Sequence, residues 1–170
     1  GRESYVQVVS PRFKWRMHSH LDFHLDLGLG FTVLSIERGD SGSYHPQARP
    51  ELELNPSFSI GEHGKIHLRN RIESRWNDFG GSPRIRTRHR FKIGWSDLDL
   101  GPVSAFYMNN EWFIDCEKGE WVEDRLIPAA VTFDLSENTK LDLFYMIRFV
   151  DRGAGWERDH ILGTFLRWSL

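Results

Sequence analysis

The sequence predicts an all-β fold, an antiparallel up-and-down transmembrane β-barrel of about 8–10 strands around a polar lumen. Three observations predict it. Apolar and polar residues alternate with a period of two along most of the chain, which is a strand's period. The alternating runs are long, and short connections alternate with longer ones. No α-helical period of 3.6 shows over a useful window, and there is neither a repeat nor a low-complexity segment.

The 170 residues read as one domain, 1–170, with residues 1–19 as an N-terminal strand or an extension. Lysine plus arginine total 22 against 24 acidic residues, a formal net charge of −2. That balance weighs against a protein whose main business is the phosphate backbone. The single cysteine, Cys116, excludes an intramolecular disulfide. No run of about 18 apolar residues offers a transmembrane helix. No charged–apolar–small leader reads at Gly1, so the expectation is that any signal peptide has already been removed.

The clearest element is LDFHLDLGLGFTV, in which Leu21, Phe23, Leu25, Leu27, Leu29, Phe31 and Val33 share one face. Asp22, His24, Asp26, Gly28, Gly30 and Thr32 share the other. Soluble strands run about five or six residues, whereas crossing a bilayer at a tilt takes about 9–11. The pattern recurs in Glu51–Ile60, with Leu52 and Leu54 opposed to Glu51 and Glu53. It returns in Ile66–Trp76, where Ile72 is opposed to Arg69, Arg71, Glu73 and Arg75. In RIRTRHRFKIGW, Arg84, Arg86, Arg88, Arg90 and Lys92 emerge from one face and Ile85, Thr87, His89, Phe91 and Ile93 from the other. Phe106, Met108, Trp112 and Ile114 oppose Tyr107, Asn109, Glu111 and Asp115. Arg125–Leu135 is less regular because of Pro128. Leu141, Leu143, Tyr145, Ile147 and Phe149 oppose Asp142, Phe144, Met146 and Arg148, and Leu162–Leu170 alternates to the end. Ser4–Arg16 supplies one or two further strands, and the even number usual in bacterial barrels favours about ten.

Gly61–Gly64 and Ser136–Thr139 read as tight turns. Ser35–Gln47 and Asn77–Pro83 read as longer connections and Ser96–Pro102 as a moderate one, with Cys116–Gly119 and Asp151–Glu157 on the side of the long loops. Short turns on one rim with longer loops on the other suit an outer-membrane barrel. In a soluble barrel the apolar faces would point inward. These faces are long on nearly every strand, more than one small interior holds. Trp15, Trp76, Trp95, Trp112, Trp156 and Trp168 also lie near strand ends, as interfacial residues do. A soluble lipocalin-like or nucleic-acid-binding barrel is the alternative.

With charges inward, a narrow lumen requires them to pair. A hairpin centred near Gly80 sets Arg75 opposite Arg84, Glu73 opposite Arg86, and Arg71 opposite Arg88. Facing like charges destabilise, so acids must come from flanking strands: Glu51 and Glu53 before, Glu111 after. The lumen network is read as these residues with Arg69, Arg90, Lys92, Arg125, Asp142 and Arg148. The lipid-facing set is Leu21, Phe23, Leu25, Leu27, Leu29, Phe31, Leu141, Leu143 and Ile147. Gly28 and Gly30 relieve crowding in the lumen, while Glu120 and Glu123 flanking Trp121 read as a solvated strand start.

The motifs RPELEL (Arg49–Leu54), NRIESR (Asn70–Arg75), RIRTRHR, NNEWF (Asn109–Phe113), Arg125, LDLFYM and His160 follow in an order that resembles one family. It comprises the outer-membrane-type barrels catalogued as domain of unknown function 2490, and the resemblance runs from about Leu21 onward. It implies a β-barrel in the outer membrane and no activity. The ending GTFLRWSL also looks like a last-strand assembly signal, with Leu166, Trp168 and Leu170 at alternate positions.

Other chemistry reads weakly. His18, His20, Asp22, His24 and Asp26 share a parity that could ligate a divalent ion, but no second ligand cluster matches and no metal or cofactor is assigned. His89 with Thr87, and His160, are the histidines with membrane access. They lack a recognisable nucleophile and orienting acid, so no catalytic residue is assigned. Inward cations, Arg49 and Arg167 among them, outnumber inward acids, which suits anions.

The expected protein is therefore a small outer-membrane β-barrel of a Gram-negative envelope, its lumen filled by side chains. It is expected to act structurally or as a subunit beside an envelope protein partner, with outer-membrane lipid around it and no nucleic acid. A narrow anion-selective channel is the alternative and a lipid-modifying enzyme the third reading.

Overall fold

Every described element is a β-strand, and each pairs antiparallel with its neighbours. The computed structural model describes residues 6–38, 43–77 and 82–168. Its strands are β1 (Val6–Val9), β2 (Arg12–His20), β3 (Phe23–Arg38), β4 (Ser43–Ile60), β5 (Gly64–Asn77), β6 (Arg84–Leu100), β7 (Val103–Asp115), β8 (Glu120–Ser136), β9 (Thr139–Asp151) and β10 (Trp156–Trp168).

From β3 to β10 the sheet is an uninterrupted meander. β1 and β2 both lie along the free edge of β3, against Val33–Ile36 and Phe23–Gly30 respectively. Pro11 has no N–H to donate, so it breaks one strand line in two, while its carbonyl still accepts from the Phe31 N–H at 3.2 Å. The ten segments thus fill nine places in the sheet, an odd number where an even one was expected. Among the described residues, β10 pairs only with β9.

Two connections are shorter than composition suggests. The Gly- and Ser-rich stretch read as a loop over Ser35–Gln47 keeps its ladder, pairing Arg38 with Ser43 and Ser35 with Pro46. Likewise β6 runs through Ser96 to Leu100, and the reversal falls at Gly101, whose φ of 65° suits a residue without Cβ. Leu21, expected on a strand face, sits in the β2–β3 turn with a φ of 41°. The hairpin centre near Gly80, Ser4 and the terminal Leu170 lie outside the described residues.

The sheet is strongly curled. Lys65 and His67 on β5 line the same cavity as Thr132 on β8 and Arg167 on β10. Five strand steps in a flat sheet would separate β5 from β10 by roughly 24 Å. Arg12 on β2 likewise reaches Glu53 on β4, at 2.8 Å, across β3. Small residues make room inside the bend. Gly28 and Gly30 stand opposite Glu53 and Glu51, and a Cβ on either would come within 3.2 Å of the facing glutamate. Gly163 faces Phe144, whose ring occupies the space that a side chain would need.

Pro128 produces the irregularity read in β8. The β8–β9 register slips between Leu126 and Ala129, so Glu123, Arg125 and Ile127 face inward before the slip, and Ala130 and Thr132 after it. A compact apolar patch of Ile127, Ala130 and Phe144, with Tyr107 and Met146 packed on it, fills that part of the concave face.

Candidate functional site

The consecutive residues Glu51, Leu52, Glu53 and Leu54 are 5%, 46%, 5% and 43% exposed. Alternation puts the acids on the concave side and the leucines on the convex one, the reverse of a water-soluble sheet. Buried carboxylates need charged partners, and the neighbouring strands supply them.

The first cluster joins β2, β3, β4 and β5. Arg71 donates its Nε to Glu53 at 2.7 Å and sets Nη1 3.0 Å from Glu51. Arg12 spans the same two acids at 2.9 and 2.8 Å, and Thr32 donates its hydroxyl to Glu51 at 3.0 Å.

The second cluster is built on the β5–β6 hairpin, whose register is the one predicted: Arg71 opposite Arg88, Glu73 opposite Arg86, Arg75 opposite Arg84. Glu73 is fully buried. It accepts from Arg75 Nε at 2.7 Å and from Arg86 Nε at 2.6 Å, with Arg88 Nη1 at 3.7 Å. Arg88 also donates to Glu111 on β7 at 3.1 Å, and Arg69 pairs with the same carboxylate. Glu111 thus bridges strands whose own pairing sets arginine against arginine.

The third cluster lies on β8, β9 and β10. Glu123 accepts from Arg125 at 2.7 Å and Arg148 at 2.6 Å. This corrects the reading of Glu123 as solvated: it faces inward with Arg125, two residues on, and is buried. Glu120, at the strand's start, is exposed. Asp142 accepts from Arg167 at 2.6 Å and from the Thr132 hydroxyl at 2.7 Å.

Phe113 connects the second and third clusters. It is 1% exposed, and the guanidinium carbons of Arg86, Arg88 and Arg125 each lie 4.7 Å from its ring centroid. A ring face attracts cations, so one aromatic side chain holds three arginines side by side. Sequence reasoning passed over Phe113, because a lone aromatic on a polar face carries no periodic signal. It also passed over Arg12, although Arg12, Lys14 and Arg16 alternate as the β6 cations do.

Three predicted network members stand apart. Arg84, Arg90 and Lys92 have no carboxylate within 4.0 Å among the described residues. Lys92 instead places Nζ 3.6 Å from the centroid of the Tyr107 ring.

On the convex side Phe23 packs on Phe58, their rings 5.0 Å apart, and Leu29, Phe31 and Leu143 are exposed. Leu25, Leu27, Leu141 and Ile147 follow by alternation. This side is interrupted by two hydrogen-bonded polar pairs, His89 Nδ1 with Asn70 Oδ1 at 2.9 Å and Asn110 with Asp124. His160 stacks on and hydrogen-bonds Tyr145. Neither histidine is joined to a nucleophile and an acid. The five-residue set from His18 to Asp26 is split by the turn at Leu21–Asp22, which pairs His18 with Leu25 and His20 with Phe23. His18 packs on Phe23, whereas His24 bonds Ser19 and Asp26 pairs with Arg16. Among the described residues no group of His, Cys, Asp and Glu is placed to hold a metal ion.

These features define a class, a single antiparallel up-and-down sheet that buries ions on its concave side and exposes hydrocarbon on its convex side. The chain belongs to the family described as protein of unknown function (DUF2490), whose model matches residues 3–159. The match takes in the segment before Leu21, which the short motifs did not reach. No curated protein and no solved structure matches the chain.

Proposed function

We propose that this chain is a small outer-membrane β-barrel with a lumen packed by its arginine–carboxylate network, acting structurally or as a subunit of an envelope complex. The observation that carries the reading is the sidedness of β4, with its glutamates covered and its leucines bare. Hydrocarbon makes that arrangement favourable and water makes it costly. Trp95, Trp121, Trp156 and Trp168, all exposed, suit the headgroup level, where indole rings gather. In lipid an unpaired strand edge costs several kcal/mol per backbone group. We therefore read β10 as joining the β1–β2 edge, through a parallel seam because an odd meander ends in the direction it began.

The purified chain is expected to stay dispersed only in detergent or lipid. A chain that remains monodisperse in plain buffer overturns the reading, which light scattering on detergent removal decides.

A narrow anion channel is the second reading, favoured by Arg90 and Lys92 lacking acidic partners on the inner face. The packed lumen is expected to give no ion-selective steps in planar bilayers. Steps with an anion preference that is lost in Arg86→Gln/Arg88→Gln would decide for the channel.

A further inference from the structure

The inner face is divided by charge. Of its described carboxylates, Asp26, Glu51, Glu53, Glu73, Glu111, Glu123 and Asp142 each hold at least one arginine. On β5 and β6, towards the Gly61–His63 turn, cations remain without acids. There a cavity of 160 Å³ is lined by Lys65, His67, Lys92, Tyr107, Thr132 and Arg167, among others, and by no carboxylate.

The register builds this cavity. Lys92 stands opposite His67, and Lys65 opposite Gly94. Gly94 and Ala105 line its wall, and the space depends on Gly94. A Cβ there would come within 2.9 Å of both the Phe106 carbonyl and Tyr107 Cβ. Behind it on β6, the buried Nε of Arg90 has no hydrogen-bond partner. Of the lining cations only Arg167 has an acidic partner, Asp142 at 2.6 Å.

We infer that this cavity is a binding site for a phosphate-type oxyanion, either a free phosphate or the phosphomonoester of a lipid headgroup. Lys65, Lys92 and Arg167 line it from β5, β6 and β10, beside Tyr107 and Thr132, while Asp142 takes the Thr132 hydroxyl and one Arg167 nitrogen. Such a convergence suits a group with several acceptor oxygens and full negative charge. The volume lies below the roughly 300 Å³ at which pockets begin to take whole drug-sized molecules, so it admits a headgroup terminus or a small ion. The site goes beyond the structural reading above and requires no conducting lumen.

The test is calorimetric titration of the detergent-solubilised chain with inorganic phosphate and, separately, with short-chain phosphatidic acid, using chloride as the control. Saturable binding of a phosphate probe is expected, weakened at least about ten-fold in Lys65→Gln/Lys92→Gln through loss of charge-assisted hydrogen bonds. Circular dichroism checks that the variant keeps its sheet. Preference for phosphatidic acid assigns the lipid source, and equal binding assigns free phosphate. Binding of neither probe, competition by chloride at equal concentration, or unchanged affinity in a folded variant overturns the site. Because binding is read in detergent, its failure is separate from any failure of the membrane reading.

Discussion

Replacing Glu73 by glutamine is expected to destabilise the chain by about 3–5 kcal/mol, the cost of breaking a buried ion cluster by removing one partner. Glu73 is the common acceptor for Arg75 at 2.7 Å and Arg86 at 2.6 Å, with Arg88 at 3.7 Å. Glutamine keeps the shape but loses the charge, and its amide nitrogen would present donors to guanidinium donors. No other carboxylate takes over, since Glu111 is already engaged by Arg69 and Arg88 and the facing Glu51 by Arg12 and Arg71. The measurement is urea unfolding in lipid vesicles, with Glu120→Gln as reference. Glu120 is exposed and only 3.9 Å from Lys118, a surface pair worth about 0–1 kcal/mol. Equal midpoints for the two variants would mean that the buried cluster contributes nothing to stability.

The core of that cluster was legible in the sequence because two simple constraints act together. Period-two alternation fixes which side each charge takes, and a hairpin fixes which charges face one another. These suffice for Arg71, Glu73, Arg75, Arg84, Arg86 and Arg88, whose register follows as expected. Finding three facing arginine pairs, counting Arg69 with Arg90, then forces acids from the adjoining strands.

Legibility fails where alternation is interrupted. Residues His18 and His20 have the parity of Asp26, yet the two-residue turn at Leu21–Asp22 pairs them with Leu25 and Phe23 and so turns them to the other side. Pro128 does the same to β8, so a strict count from Arg125 would put Ala130 on the convex side instead of in the buried patch with Ile127. The loop bounds failed for a different reason. Ladder hydrogen bonds are made by the backbone, so Ser35 and Ser96 can remain in strands whose composition reads as loop. The choice of partner for each arginine was out of reach. It depends on side-chain reach and on which neighbours already share a carboxylate, and neither is written in the residue pattern. Arg90 stands directly opposite Glu111, yet Glu111 is held by Arg69 and Arg88 from two sides.

The second large effect concerns the medium on the convex side. Met108 lies near the middle of β7, opposite Ile93, and is 44% exposed. Ile60 closes β4 beside the turn and is exposed to a similar degree, 46%. On a sheet facing water, arginine at either place would change stability by no more than about 0.5 kcal/mol. In a bilayer, Met108→Arg is expected to cost about 2–4 kcal/mol and Ile60→Arg about 0–1 kcal/mol, because the penalty for a cation on the lipid side falls from midplane to interface. Unfolding titrations of both variants in the same vesicles read the difference directly. Since the two side chains are similarly exposed, a gap between them reports depth in hydrocarbon and not burial in protein. Two small, equal effects would place water on the convex side and remove the reason for reading this sheet as a membrane barrel.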